Sequence, residues 1–258
     1  MSQTHNRQAW DDLVARKQCF TRPACDEDFV DPLGKVDPLG WLGGDIHGKS
    51  LLCLAAGGGK HGPLYAAAGA NVTVVDLSPA MLELDRQVAA ERRIDLRTVL
   101  ASMDDMPMLA AASFDIVIHP VSTCYLPHVG PVYREIARVT RPGGLYISQH
   151  KSPTSLQADV APGPRGYELS VPYYRTGPLA PVVGSPHREE GTLEYLHRWE
   201  ELLGLMCRAG FAIEDLVEPL HAKADAARGD FAHRSQYVAP YMRVKARRAG
   251  GAKSIWTP

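Results

Sequence analysis

The sequence has no long apolar segment that would mark membrane insertion or export. No apolar run approaches the roughly 18 residues that a membrane-spanning helix needs, and the first residues are polar and charged, unlike the apolar centre of a signal peptide. We therefore expect a cytoplasmic protein without a membrane partner.

Charge of one sign and patterned cysteines are also missing. The formal net charge of −1 over 258 residues argues against the basic surface that nucleic-acid binding requires. The five cysteines are odd in number and lack metal-ligand spacing, so we expect a reducing compartment and no metal site. The basic residues near the C-terminus are expected to form a solvated tail: Lys245, Arg247, Arg248 and Lys253. Oligomeric state is left open.

The segment from Leu51 to Asp76 contains the pattern of a nucleotide-binding unit. It reads LLCLAAGGGKHGPLYAAAGANVTVVD, which predicts a strand, a glycine turn, a helix, a second strand and an acidic residue. Glycines allow a sharp turn and close approach of a ligand, and the following helix start directs free N–H groups at it. Asp76, 19 residues after Gly57, is expected to accept hydrogen bonds from a ribose diol.

Further strands and helices alternate downstream. Ser78 and Pro79 predict the start of a helix, and three more strands are predicted over residues 96–100, 114–119 and 145–148. The composition, 45% hydrophobic, fits one compact domain. We predict a Rossmann-like α/β fold over residues 1–258, with a seven-stranded, mostly parallel sheet, helices on both faces and an antiparallel last strand.

Four motifs in this order resemble the class I S-adenosylmethionine-dependent methyltransferases. They read LLCLAAGGG, TVVDLSPAML, SFDIVIHPVSTCYL and REIARVTRPGGLYIS, and the resemblance covers roughly residues 47–150. A start such as Asn6-Arg7-x-x-Trp10 is similar to members in which a leading helix lies over the cofactor, so residues 1–45 are expected to form a helical cap. The resemblance implies S-adenosylmethionine as cofactor and methyl transfer as reaction.

The resemblance also implies positions of cofactor contact. They are Ala55, Ala56, Gly57, Gly58, Gly59, Asp76, Leu77, Met81, Ser102, Met103, Asp104 and His119. The sequence departs from the common pattern, because Cys53, Ala55 and Ala56 replace the usual acidic and polar residues of the first turn. Ser102 stands where an acid usually accepts from the adenine amino group. Asp104 could take that role, or Ser102 together with the backbone amide of Met103.

A Pro- and Gly-rich segment separates the fifth strand from the C-terminal elements. Residues 152–186 hold seven prolines and four glycines together with tyrosines, which favours an ordered substrate flap of about residues 151–191 over a linker. Tyr173 and Tyr174 are candidate substrate contacts. Residues 192–209 are predicted to be helical. A small organic acceptor is expected, with the acceptor atom (O, N or C) unresolved.

Catalytic candidates follow the strand ends. An oxygen or carbon nucleophile would need a general base, which His119, Tyr125 or His150 could supply, whereas a neutral amine or thiolate would not. Two other classes stay open. The triplet Gly57, Gly59 and Gly62 also satisfies the dinucleotide fingerprint of a nicotinamide-dependent oxidoreductase, and a non-catalytic or non-methylating S-adenosylmethionine-binding protein would carry the same motifs.

Overall fold

The protein folds around one seven-stranded sheet. The computed structural model describes residues 2–185 and 187–250, so the predicted role of Lys253 in a tail lies outside the described residues. The strand order is β3-β2-β1-β4-β5-β7-β6. Neighbours from β3 to β5 pair in parallel, and β7 pairs antiparallel with both β5 and β6. The predicted fold class is confirmed, including the antiparallel last strand.

Strands and helices alternate along the first half of the chain. The strands are β1 Ser50–Leu54, β2 Asn71–Asp76, β3 Arg97–Leu100, β4 Phe114–His119, β5 Thr140–Lys151, β6 Phe211–Val217 and β7 Tyr241–Arg248. The helices are α1 Ser2–Ala15, α2 Pro32–Val36, α3 His61–Ala67, α4 Pro79–Arg92, α5 Gly130–Val139, α6 Pro153–Gln157, α7 Leu205–Arg208 and α8 Phe231–Arg234.

Alternate residues of the central strands bury opposite faces of the sheet. Leu52 and Leu54 of β1 belong to the core beneath α5 and α7, whereas Leu51 and Cys53 belong to the core beneath α3 and α4. A parallel sheet covered on both faces needs strands that are apolar throughout, which explains the continuous apolar run of β1. Ligands in such sheets bind beyond the carboxyl ends of the strands.

Three local predictions differ from the structure. β5 begins at Thr140 and includes the expected turn at residues 141–144. Residues 192–198 are not helical, and the helical turns of that segment cover only Glu200–Gly204 and α7. The prediction there was wrong because backbone groups of this segment bond to distant partners instead of to each other. The N–H of Leu193 donates to Asn6 Oδ1, and the N–H of Tyr195 donates to the carbonyl of Cys124. The basic residues 245, 247 and 248 lie within β7 instead of a tail, and Arg247 pairs with Glu214 of β6.

Candidate active site

One large cavity opens at the carboxyl edge of the parallel strands. Its volume is about 840 Å³, within the range of small-molecule sites. On one side it is lined by the turn after β1 and by the end of β2; on the other by residues following β4 and within β5 and β7. Helix α1 lines it with Gln3, Asn6 and Trp10, and the N-terminal segment adds the side chains Cys19, Phe20, Arg22, Pro23, Cys25 and Asp28.

The turn after β1 has an unusual backbone conformation. Ala55 adopts φ 48° and Gly58 φ 120°, values that non-glycine residues rarely adopt. A Cβ on Gly57 would lie 2.8 Å from Met81 Cβ and 3.0 Å from Asp76 Oδ2. The turn is therefore packed tightly against α4 and the end of β2, so contacts within the chain already require glycine at position 57.

Asp76 connects the turn to α4 through its carboxylate. Oδ2 accepts from the backbone N–H of Gly57 at 2.9 Å, and Oδ1 accepts from the N–H of Ser78 at 2.9 Å. Burial raises the pKa of Asp76, and these two N–H groups oppose that rise. Each carboxylate oxygen has remaining acceptor capacity, and the residue lines the cavity.

A second carboxylate lies beneath the same turn. Asp85 of α4 is fully buried, and its Oδ2 accepts from the N–H of Gly58 at 3.0 Å. Among the described residues nothing bonds to its Oδ1. Burial, with Asp76 nearby, raises the pKa of Asp85 to about 7. Sequence reasoning missed this residue, because an acid on the buried face of a helix carries no motif.

The residues after β3 divide between cavity and surface. Ser102 and Met103 line the cavity together with Leu77 and Met81. Asp104 is not among the lining residues; its carboxylate accepts from Gln3 Nε2 at 3.0 and 3.1 Å and from the Ser102 hydroxyl. Of the two candidates for an adenine contact, the structure thus brings Ser102 to the cavity and uses Asp104 to hold α1.

The two candidate histidines are buried in closed hydrogen-bond networks. His119 contacts the Tyr146 hydroxyl and Ser122 Oγ at 2.8 and 2.7 Å, and His150 contacts Thr123 Oγ1 and Ser148 Oγ at 3.0 and 2.8 Å. Burial lowers the pKa of His119 to about 3 and lowers that of His150 as well.

The placement of these histidines bears on their predicted role. Neither lies among the residues that line the large cavity. Both ring nitrogens of each histidine are already bonded, so neither ring has a nitrogen available to a ligand without rearrangement. A catalytic role for His119 or His150 stays a prediction, and their placement favours a structural role.

The third candidate, Tyr125, reaches the cavity as part of an ionic cluster. Its hydroxyl donates to Glu189 Oε2 at 2.8 Å, and Lys151 Nζ donates to the same oxygen at 2.7 Å. Lys151 also contacts Glu194 at 3.2 Å, which in turn contacts Arg188 at 3.2 Å. We call these five residues the Lys151 cluster. Burial and the neighbouring Glu189 raise the pKa of Tyr125, so its hydroxyl stays protonated and donates a hydrogen bond.

The segment predicted as a substrate flap contributes little to this cavity. Of the residues that the structure describes between 151 and 191, only Glu189 lines it. Tyr173 accepts from the N–H of Trp199 at 3.2 Å, and Tyr174, 76% exposed, lies against Arg198. The structure does not bring the two tyrosines to the cavity. The segment instead packs through Leu156 and Leu179 against Leu196, which follows it in the chain, and lines a smaller cavity of about 150 Å³.

Several cavity residues have no signal in the sequence. His61, Gln149 and Tyr241 line the cavity from α3, β5 and β7. Burial lowers the pKa of His61 to about 4, with a contribution from Lys60, so its imidazole is neutral near pH 7. In the sequence, Lys60 and His61 follow the three glycines as the ordinary start of a helix, and nothing in this pattern indicates a site.

Three further features concern membrane spans, metal ligands and cysteines. Within residues 2–185 and 187–250, no helix is long and apolar enough to cross a bilayer. Over the same residues, no group of three or more potential metal ligands comes together. All five cysteines are free thiols.

Comparisons with known proteins identify the family to which the central segment is similar. Residues 52–148 match a family model described as "Methyltransferase domain". This match includes the turn after β1 and Asp76 on one side of the cavity and the residues that follow β4 on the other side.

Relatives and solved structures extend the similarity over most of the chain. An uncharacterized methyltransferase of Bacillus subtilis (strain 168), YbaJ, is 32% identical over 83% of this chain and 89% of its own length. An S-adenosylmethionine-dependent methyltransferase from Mesorhizobium loti superposes with a TM-score of 0.66 at 21% identity, covering 84% of this chain and 100% of that one. Geranyl diphosphate C-methyltransferase from Streptomyces coelicolor A3(2) gives 0.63 at 14% identity, covering 96% and 98%.

Proposed function

The chain belongs to the class I S-adenosylmethionine-dependent methyltransferases, and from that premise we propose that it methylates a small organic molecule. The observation that carries the proposal is the cavity of about 840 Å³, in which the turn after β1 and Asp76 belong to one half, and residues that follow β4 or lie in β5 and β7 form the other. One half suits the cofactor, and the other half leaves room for an acceptor. Nothing in the site favours a nicotinamide-dependent oxidoreductase.

The residues of the first half fit S-adenosylmethionine. The turn from Ala55 to Gly58 would hold the amino-acid part, Asp76 would accept from the ribose hydroxyls, and Ser102 and Met103 would border the adenine. The cofactor supplies a methyl group already activated by its bond to a positively charged sulfur. Because the methyl group needs no activation by the protein, the chain's own residues have to bind, orient and exclude water.

The second half supports an acceptor of small size. It is bordered by Tyr125, Tyr241 and Trp10, and helix α1 closes it by bonding across the chain: Asn6 donates to the carbonyls of Tyr125 and Leu193 at 2.9 and 3.0 Å. A cavity closed on this side favours a small molecule over a polymer. The solved relative from Streptomyces coelicolor, which is named for a small-molecule substrate, is in line with this proposal.

Titration calorimetry of two matched variants tests the cofactor half. Asp76→Ala removes charge-assisted hydrogen bonds worth roughly 1.5 to 3 kcal/mol each, and should weaken binding of S-adenosylmethionine or S-adenosylhomocysteine by an order of magnitude or more. Asp95→Ala, whose side chain is exposed and outside the cavity lining, should change affinity far less. Equal affinity of wild type and Asp76→Ala, or tighter binding of NAD than of S-adenosylmethionine, would refute the proposal.

A further inference from the structure

In the half of the cavity opposite Asp76, the carboxylate of Glu189 borders the cavity. Glu189 lines the cavity next to Tyr125, Gln149 and Tyr241. Its side chain is 7% exposed, so water does not screen it as it would a surface acid. Among the described residues, Asp28 and Asp76 are the other acids of the lining, and both belong to the cap or to the cofactor half.

The two oxygens of this carboxylate have different surroundings. Oε2 accepts from both Lys151 Nζ at 2.7 Å and the Tyr125 hydroxyl at 2.8 Å. No other residue in the described part of the chain donates a hydrogen bond to Oε1. Unlike Glu194 Oε1, this atom is not one of the completely buried oxygens without a partner, so it remains accessible. Glu189 therefore has one oxygen fixed by the protein and one oxygen with open acceptor capacity.

The charge state of Glu189 suits an acceptor of hydrogen bonds. Burial opposes its ionisation, but the charge of Lys151 and the hydrogen bonds from Lys151 and Tyr125 outweigh burial and hold the pKa of Glu189 below its ordinary value. An ionised carboxylate only accepts hydrogen bonds. A partly desolvated one favours a ligand that donates a hydrogen bond, since an unpaired acceptor in such a place is costly.

Lys151 binds two carboxylates that differ in their position relative to the cavity. Lys151 is also paired with Glu194, which is completely buried and contacts Arg188. Glu194 is therefore the member of the Lys151 cluster that lies inside the protein, and Glu189 is the acid at its boundary with the cavity. The cluster therefore holds the Glu189 carboxylate at the border of the acceptor half by its Oε2 atom, which leaves Oε1 as the oxygen with open acceptor capacity.

We propose that Glu189 Oε1 binds the methyl acceptor, and that the acceptor is a small molecule carrying an O–H or N–H group that donates a hydrogen bond to it. This inference rests on the proposed function, because it takes the half of the cavity opposite Asp76 as the acceptor half. It gives Glu189 the role of an acceptor-binding residue, held in place by Lys151 and Tyr125. It also limits the acceptor to compounds with a donor group.

The substitution Glu189→Gln distinguishes this role from a structural one. Lys151 and Tyr125 both donate, so they will hold the amide oxygen of the glutamine at the position of Oε2. The amide NH₂ group then takes the position of Oε1 and presents donors to the cavity. The variant should therefore bind groups that accept hydrogen bonds in preference to groups that donate them, which a merely structural role would not produce.

Probe pairs that differ by methylation provide the measurement. We would saturate the protein with S-adenosylhomocysteine and titrate p-cresol against 4-methylanisole, and p-toluidine against N,N-dimethyl-p-toluidine, by ligand-observed NMR. In wild type the O–H or N–H member of a pair should bind about tenfold or more tightly than its methylated twin, as expected for a hydrogen bond to a charged group. In Glu189→Gln that preference should vanish or reverse.

Controls separate failure of this inference from failure of the proposed function. The neighbouring exposed acid gives a matched variant, Glu190→Gln, which should keep the wild-type preference. If Glu189→Gln does not fold by circular dichroism, Glu189→Asp, which withdraws the carboxylate by one methylene, should reduce the preference instead. No preference for a donor in either pair with wild type overturns the inference, whereas failure of wild type to bind S-adenosylhomocysteine overturns the proposed function.

Discussion

The two halves of the cavity are built in opposite ways. The cofactor half comes from consecutive elements of one part of the chain, from the turn after β1 through Asp76 to Ser102 and Met103. Its acid Asp76, and Asp85 beneath the turn, are held by backbone N–H groups. The acceptor half collects Asn6, Tyr125, Glu189 and Tyr241 from separate parts of the chain, and its carboxylates are held by side-chain cations. Backbone-held acids depend on local conformation, whereas the Lys151 cluster depends on tertiary packing.

The largest expected effect comes from removing the ammonium group of Lys151, which holds the carboxylates beside the acceptor half. Lys151→Met leaves Glu189 and Glu194 buried without the ammonium group between them, and removal of one partner of a buried pair costs about 3 to 5 kcal/mol. Urea denaturation should show that loss. The affinity of the folded variant for S-adenosylhomocysteine should stay within about twofold of wild type, because Lys151 is not in the cofactor half.

Lys245→Met is the matched control for that experiment. Lys245 lies 3.7 Å from Glu214 at the surface, and exposed pairs contribute about 0 to 1 kcal/mol. Equal destabilisation by the two lysine variants would mean that the buried cluster does not differ in strength from a surface pair.

A second experiment tests the backbone-held acid of the cofactor half through pH. Burial raises the pKa of Asp85 to about 7 from an ordinary value near 3.9, so the folded state binds the proton more tightly than the unfolded state. The stability from this group is complete below about pH 4 and is lost as the pH rises through about 7. Over that window the wild type should lose on the order of 4 kcal/mol relative to Asp85→Asn.

The measurement is the unfolding free energy of both proteins at several pH values. Subtracting the Asp85→Asn curve removes contributions from all other titrating groups that the two proteins share. Parallel curves between pH 4 and pH 8 would show that Asp85 keeps an ordinary pKa beneath the turn.

The smallest effect concerns the glycine turn itself. Gly59 has φ +72°, and a Cβ there would lie 2.9 Å from the Leu84 carbonyl oxygen; Gly43 has φ +80° with nothing within 4 Å. Both Gly→Ala variants pay the cost of a left-handed backbone, about 1 to 2 kcal/mol, but Gly59→Ala adds a clash with α4 of about 1 to 3 kcal/mol.

Denaturation measures the stability of the two glycine variants, and calorimetry measures their affinity for S-adenosylhomocysteine. Gly59→Ala should be less stable than Gly43→Ala and should also bind S-adenosylhomocysteine more weakly, because the clash displaces the turn. A Gly59→Ala protein as stable as Gly43→Ala, with unchanged affinity, would show that the turn can shift away from α4 at no cost.

The fold could be predicted further than the site. The apolar runs of β1, β2 and β4 and the start of α4 at Ser78 and Pro79 are confirmed within a residue or two, because a strand buried on both faces and a capped helix each have a local pattern. Residues 192–198 could not be predicted: their apolar spacing suggests a helix, but the backbone N–H groups of Leu193 and Tyr195 donate to residues far away in the chain.

Within the candidate site the same division holds. Residues 55–58, Asp76, Ser102 and Met103 were predicted from the sequence and line the cavity, whereas Gly59 of the same turn does not. Their contacts with the cofactor stay predictions. His119 and His150 follow the strand ends as expected, yet their side chains point into closed networks. A sequence places a residue at the end of a strand, but it does not tell whether neighbouring hydroxyl groups already occupy its ring nitrogens.

The sequence by itself determined three features: the apolar strands and their succession along the chain, the glycine turn, and the acid at the end of β2. Each of these depends on neighbours along the chain. Only the tertiary structure decided which side chains border the acceptor half. Glu189 meets Tyr125, 64 residues away, and Lys151, 38 residues away, and such pairings arise from packing of distant segments that no local periodicity encodes. The physical reason is that hydrogen bonding and burial of a carboxylate depend on what surrounds it in space.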